Sequence, residues 1–462
     1  MKKILLIFLI FFAFTANMFA RIILPNVFSD NMVLQQNSEV AIWGWSDPGE
    51  TVKIVAGWNE KDTIKVKADN SSKWTTTIKT IGAGGPYSIR ILGSSRVELK
   101  NVMLGEVWIC SGQSNMEWSV NAKIINGEEE AAQANNPNIR IFHVQKIGAE
   151  FPQENCIATW TVCSPETMRS TSAVGYFFAR ELQQKLNVPV GIIVSAWGGT
   201  PAEVWIEKSR IEINPTLNAH KYNEKFDWWP GTPGTLYNSM IAPVVPYGIA
   251  GAIWYQGESN CGNYQIYSQL MKTLIDGWRT DFRKDFPFYL VQIAPYTYGD
   301  KGTSEYLREQ QELITKTVPN TGMVVVSDLV DNVKDIHPRN KLDVGRRLAN
   351  FALAETYKQN IGTYKSPGYQ SMQLEKGKIR VTFNNVLSGL KCTGKSPEKF
   401  MIAGEDQKFV PANAKIDGKT IILSSKEVKN PVAVRFCFDD TTMPDVFSNE
   451  GLPLAPFRTD NW

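Results

Sequence analysis

A serine stands at the end of an apolar run in this chain. The segment Gly112-Gln113-Ser114-Asn115-Met116-Glu117-Trp118 follows Val107-Trp108-Ile109-Cys110, which reads as a short buried strand. A hydroxyl presented off the end of a strand at the edge of an α/β sheet is the layout of a nucleophile. Gly112 permits the sharp exit from the strand, and the backbone N–H groups just past it can face a developing oxyanion. A Gly-Ser-Asn grouping also makes ordinary turns, so the serine signifies chemistry only if a base can reach it.

The chain has three histidines, which narrows the search for that base. His143 falls inside the alternation Ile139-Arg-Ile-Phe-His-Val144 and reads as a structural imidazole in a strand. His220 lies in a polar, aromatic-rich stretch, 218–229, with no carboxylate pattern immediately before it. His337 follows the apolar strand Met323-Val-Val-Val-Ser327 and precedes a helical segment starting near Asn340. Pro338 holds the preceding backbone extended, and a histidine on such a loop has the chemistry of a general base. Three acids are candidates to orient it: Asp335, Asp331 and Glu258. Residues i and i+2 of an extended segment project to the same side, so the Asp335 carboxylate reaches Nδ1 while Nε2 faces Ser114. Glu258 is expected instead to brace its own loop.

Two more strand ends supply what acyl transfer still lacks. Ile192-Ile-Val-Ser-Ala-Trp197 ends in Gly198-Gly199-Thr200, where a glycine N–H can approach a ligand closely. Ile249-Ala-Gly-Ala-Ile-Trp-Tyr255 ends in Gln256-Gly257-Glu258-Ser259-Asn260, where the Gln256 amide is a candidate oxyanion donor; removing one such donor typically costs about 10²–10³ in rate.

These pieces resemble a known family. Leu104-Gly-Glu-Val-Trp-Ile-Cys-Ser-Gly-Gln-Ser-Asn-Met-Glu-Trp118, Trp197-Gly-Gly-Thr200, Trp254-Tyr-Gln-Gly-Glu-Ser-Asn260 and Asp335-Ile-His-Pro338 are similar to motifs of the sialate O-acetylesterases, within the SGNH hydrolase superfamily of carbohydrate esterases. The resemblance extends to Leu24-Pro-Asn-Val-Phe-Ser-Asp-Asn-Met-Val-Leu-Gln35 near the start and Asn449-Glu-Gly-Leu-Pro-Leu-Ala-Pro-Phe-Arg-Thr-Asp460 near the end. It implies an oxyanion hole from the N–H of Ser114, the N–H of Gly199 (or Gly198) and the amide of Gln256. Many members of the superfamily place the acid three residues before the histidine; here that position is Lys334, and Asp335 is the candidate.

The elements that must position these residues are legible in outline. Residues 101–360 alternate strands and helices, an α/β pattern that implies a mostly parallel sheet covered on both faces. The resemblance makes it a three-layer SGNH or flavodoxin-like hydrolase domain. Within 173–186, Val174, Phe177, Phe178, Leu182 and Leu186 form one apolar helical face. Residues 21–100 show short strands with turn punctuation, a flanking β-sandwich domain. From 361 to 462 the β signals return, as a third domain or as the partner of the first.

The composition, 43% hydrophobic and 21% charged, is that of a globular protein, and 462 residues suggest two or three domains. The net charge is only +3, and no basic stripe appears, so nucleic acid is not an expected partner. Residues 1–20 carry Lys2, Lys3 and an apolar run, which reads as a signal peptide for a periplasmic or secreted protein. Six cysteines are no disulfide scaffold, although Cys156 with Cys163, or Cys392 with Cys437, could bridge. No CxxC or HExxH motif occurs, and neither metal nor cofactor is expected.

The expected activity is therefore a serine esterase removing O-acetyl groups from sialic acids through an acetyl-enzyme. Trp118, Trp197 and Glu258 are the candidate substrate contacts. An acetylxylan or other hemicellulose esterase is the alternative within the class. A non-catalytic glycan-binding protein is the alternative outside it, and it has no need of nucleophile, base and oxyanion donors together.

Overall fold

The computed structural model describes residues 21–222, 228–299 and 303–462. The expected signal peptide, residues 1–20, lies outside them. One strand, Arg96–Gly112, organises the chain. Its first part pairs with Gly84–Leu92 and Val33–Gln35 in the N-terminal β region. Its last part is the centre of a parallel sheet. Across that sheet the order is Thr321–Val324, Phe288–Val291, Gly251–Tyr255, Arg96–Gly112, Val190–Ala196 and Asn136–His143, all parallel, with Trp160–Cys163 antiparallel at the edge.

The apolar runs of these strands follow from burial on both faces, which removes the polar alternation of a half-exposed strand. Val107 and Ile109 share a core with Leu270, Leu274 and Trp278 of the helix Tyr267–Asp281 and with Leu307 and Ile314 of the helix Ser304–Thr317. On the opposite face, Trp108 and Cys110 pack with Val174, Phe177, Phe178 and Leu182 of the helix Ala173–Leu186 and with Leu348 and Ala352 of the helix Lys341–Glu355. Ala173–Leu186 starts where Ser172 Oγ accepts the N–H of Gly175 at 3.0 Å. The same hydroxyl donates to the carbonyl of Met116 at 2.5 Å, which ties this helix to the turn that carries Ser114.

The N-terminal strands Glu39–Trp45 and Lys73–Lys79 bring Ile42, Trp74 and Ile78 into the same continuous core as Val107 and Ile109. The position expected to separate two domains, 100/101, thus falls inside one unbroken strand. The C-terminal β region has a core of its own, built from Ile379, Val381, Phe400, Ile421, Val434 and Phe436. It grips the α/β region through Arg458, whose Nε and Nη2 each donate to Glu309 at 2.9 Å. All six cysteines are free thiols, so neither expected bridge is formed. Cys156 and Cys163 are both buried, Cys163 with its Sγ on the carbonyl of Ala134 at 3.6 Å. The strand expected at 323–327 pairs only over Thr321–Val324; Val325 and Val326 stay buried but leave the ladder to begin the loop towards His337. Among the described residues no helix is long and apolar enough to cross a membrane.

Gly112 is a tight point of this scaffold, where the central strand turns out towards Ser114. Its φ is +131°, and a Cβ there would lie 2.2 Å from the carbonyl oxygen of Tyr255 on the neighbouring strand. Gly112→Ala therefore combines a strained backbone, worth about 1–3 kcal/mol, with a backbone clash. Urea denaturation is expected to show a destabilisation of at least that size.

Candidate active site

Ser114 opens the short helix Ser114–Glu117, so its N–H has no partner within that helix. Its Oγ lies 2.9 Å from His337 Nε2, although 223 positions separate the two in sequence. With the ring proton on Nδ1, Nε2 accepts the hydroxyl proton. Asp335 supplies the reason for that tautomer: its Oδ1 accepts the N–H of His337 at 2.9 Å and lies 3.5 Å from Nδ1. The longer separation exceeds a direct N–H···O bond, so the carboxylate charge orients the polar Nδ1–H of the neutral ring at longer range. Asp331 is placed elsewhere on the loop, with its Oδ1 3.5 Å from the N–H of Arg339. The other histidines are not at the serine. His143 ends the strand next to the edge strand, and His220 packs edge-on against Tyr222 with ring centroids 5.0 Å apart.

Trp118 stacks on the His337 imidazole, with ring centroids 4.3 Å apart and planes 18° from parallel. The indole is thus a wall that fixes the ring plane, a role sequence pattern did not suggest. Burial pushes the His337 pKa below its ordinary value, and the charge of Lys341 pushes the same way, while Asp335 and Glu117 oppose both. The imidazole is held ready to accept a proton.

The glycine pair divides its tasks. Gly198 donates its N–H to Glu117 Oε2 at 2.6 Å, and Glu117 Oε1 in turn accepts from Lys146 at 2.6 Å. A Cβ on Gly198 would sit 3.2 Å from the Ser114 Cβ, so the loop runs directly past the nucleophile. Gly199 turns at φ +79° under the indole of Trp229, and its carbonyl accepts from Ser259 Oγ at 2.9 Å. Gly199 is therefore the member of the pair whose N–H is not committed to Glu117.

Gln256 is already engaged by other partners, and Glu258 braces its loop as expected but is not placed as a substrate contact. Gln256 is fully buried; its Nε2 donates to Asn260 Oδ1 at 2.6 Å and to the Thr200 carbonyl at 3.3 Å, and its Oε1 accepts from Tyr267 at 3.0 Å. It can offer a hydrogen to an oxyanion only by releasing the longer bond. Glu258 is enclosed behind the nucleophile, where its Oε1 accepts from Asn115 Nδ2 at 2.6 Å. An enclosed carboxylate bonded to its neighbour braces the loop and does not meet substrate. Trp197 is half-buried, with its N–H on the carbonyl of Gly112 at 3.1 Å.

Three residues at the site had no assigned role from the sequence. Gln113 Oε1 lies 3.3 Å from the N–H groups of both Gly257 and Ser259 and holds that loop beside the serine. Asn115 links to the histidine loop, donating to the Ile336 carbonyl at 3.1 Å. Lys341, fully buried, donates to Asn115 Oδ1 at 2.6 Å. A cation at the first position of a helix opposes the helix dipole, and that was the available signal for Lys341.

A serine hydroxyl on an imidazole, a carboxylate behind the ring and a glycine turn beside them form an arrangement able to carry out serine ester hydrolysis. Residues 104–354 match the family model described as carbohydrate esterase, sialic acid-specific acetylesterase. The chain belongs to that family and is a carboxylic ester hydrolase. Human sialate O-acetylesterase is 29% identical over 93% of this chain and 91% of its own length, and the mouse protein of the same name is 29% identical over 92% of each. Among solved structures, a carbohydrate acetylesterase from Xanthomonas citri superposes with a TM-score of 0.86, at 35% identity, covering 96% of this chain and 100% of that one.

The geometry ranks the three acids. Asp335→Asn is expected to lower kcat by 10²- to 10⁴-fold, the upper figure being the rough cost of a wrong imidazole tautomer in a triad. Asp331→Asn should leave most of the rate. If Glu258→Gln gives the largest loss and Asp335→Asn less than about tenfold, the acid has been misassigned.

Proposed function

We propose that this protein hydrolyses O-acetyl esters of sialic acids by a serine mechanism. Ser114 Oγ attacks the acetyl carbonyl while His337 Nε2 takes the hydroxyl proton. The oxyanion is held by the N–H groups of Ser114 and Gly199, with Gln256 as third donor if it gives up its bond to Thr200. Collapse breaks the ester bond, and the imidazolium gives its proton to the departing sugar oxygen, which leaves as a hydroxyl. A water then attacks the acetyl-enzyme with His337 again as base; the bond from Ser114 Oγ to the acetyl carbon breaks, the imidazolium returns the proton to Ser114 Oγ, and acetate leaves. The observation that carries this reading is the 2.9 Å contact between Ser114 Oγ and His337 Nε2.

The hydrolase region is read as an SGNH three-layer fold. Without the edge pair Asn136–His143 and Trp160–Cys163, its strands lie in the order second, first, third, fourth, fifth, the flavodoxin-like arrangement. Ser114, Gly199, Gln256 and His337 then all belong to loops leaving the carboxyl edge of one sheet. The flanking β regions at 21–100 and 361–462 are read as accessory domains. Residues 1–20 support export to the periplasm or the exterior.

Ser114→Ala should abolish release of acetate from p-nitrophenyl acetate and from O-acetylated sialic acid alike, by up to roughly 10⁶-fold, with unchanged circular dichroism. Wild-type enzyme should favour O-acetylated sialic acid over acetylated xylan in kcat/KM. A preference for xylan would keep the serine mechanism and reject the substrate. A folded Ser114→Ala protein with more than a few per cent of wild-type rate would reject the mechanism.

A further inference from the structure

We infer that Lys341 is a positioning residue for this reaction: through Asn115 it locks the nucleophile turn to the histidine loop, and its charge keeps the His337 imidazole in its neutral form. The inference rests on the reading of His337 as general base.

Three loops meet at one side chain. Asn115, next to the nucleophile, accepts from Lys341 Nζ at 2.6 Å, donates to Glu258 Oε1 at 2.6 Å and donates to the carbonyl of Ile336 at 3.1 Å. The last bond fixes the residue that immediately precedes His337. Lys341 is 1% exposed, and its ammonium lies 5.5 Å from the ring centroid of Trp118 and 5.4 Å from that of Tyr255. Trp118 is also the ring stacked on His337, so ammonium and imidazole share one aromatic neighbour. The second oxygen of Glu258 is buried without a hydrogen-bond partner. An ammonium in such surroundings is expensive to keep, because it has one hydrogen-bond acceptor and two π faces in place of water. A methionine or leucine would fill the same volume at lower cost. The charge therefore does something that packing does not require.

What it does follows from the groups around it. His337 faces Asp335 on its own loop, Glu117 from the nucleophile helix and Lys341 from the helix beyond; Lys341 faces Glu258, Asp335 and Asp331. Burial lowers the Lys341 pKa to about 7, so its charge is present below neutrality and fades above it. Below neutrality is where an imidazole with the ordinary value of 6.5 would start to take up a proton. Repulsion from Lys341 appears in that range and opposes imidazolium formation in the free enzyme. It offsets Asp335 and Glu117, which favour the imidazolium. The base thus stays competent to lower pH, and Asp335 still stabilises the imidazolium transiently formed in turnover.

The test is the pH profile of kcat/KM for p-nitrophenyl acetate in Lys341→Gln, which keeps a donor for Asn115 without charge, Lys341→Met, which keeps neither, and Lys341→Arg, which keeps both. The acid limb should move to higher pH in the Gln and Met variants and stay in place in the Arg variant. The Met variant should also lose up to about 10²-fold on the plateau, as expected for a slightly displaced nucleophile. A purely structural lysine would lower the plateau and leave the limb where it was, and that result in a folded Gln variant overturns the inference. Imidazole NMR gives a second check: burial alone lowers the His337 midpoint, so it should be higher in Lys341→Gln than in the wild-type enzyme, and an unchanged midpoint contradicts the inference. Ser114→Ala and His337→Ala run alongside separate the two failures. Activity surviving in His337→Ala rejects the base itself, whatever Lys341 does.

Discussion

An imidazole must be held within one hydrogen bond of a hydroxyl that lies 223 residues earlier in the chain, and most of this fold serves that constraint. A parallel sheet meets it because every strand delivers its following loop to the same edge. The strand Arg96–Gly112 sits in the middle of the sheet and brings Ser114 between the loops that follow Val190–Ala196 and Gly251–Tyr255. Gly112 lets the central strand turn out against the Tyr255 carbonyl, where no side chain fits. Ser172 then fixes the turn from below through the Met116 carbonyl. The helices on the two faces keep the edge rigid.

Electrostatics at this edge are arranged in layers. Nearest the serine are His337 and the glycine pair; behind them lie Asp335, Glu117 and Trp118; behind those lie Asn115, Glu258 and Lys341. Each carboxylate has a distinct partner: Asp335 the histidine, Glu117 the Gly198 N–H and Lys146, Glu258 the Asn115 amide. Burial raises the pKa of Glu258 and lowers those of His337 and Lys341. All three shifts favour neutral forms, as expected where water is largely excluded. Such a site takes on charge readily only when a reaction supplies it.

Much of this was readable in the chain, for physical reasons that differ by residue. Ser114, His337 and Asp335 were legible because strand-end position, extended spacing and residue chemistry are local properties. The helix Ala173–Leu186 was legible because its apolar stripe has the helical period and Pro189 follows its end. The engaged amide of Gln256 and the enclosure of Glu258 were not legible, because a motif shows residue types and not which partners reach them first. The sharing of the strand Arg96–Gly112 between two β systems was hidden too, since continuous pairing on different partners leaves no mark in composition. Lys341 left only a weak mark, a cation at the wrong end of a helix. Its meaning depends on Asn115, which is 226 positions away.

The central claim is that one activated hydroxyl carries the chemistry. A fluorophosphonate, which phosphonylates serines made nucleophilic by a neighbouring base, tests it directly by peptide mapping of the inactivated enzyme. The account predicts that label appears on Ser114 in proportion to activity lost, and that His337→Ala slows both together. Complete inactivation with the label on another residue, or full labelling of Ser114 with activity intact, would contradict it.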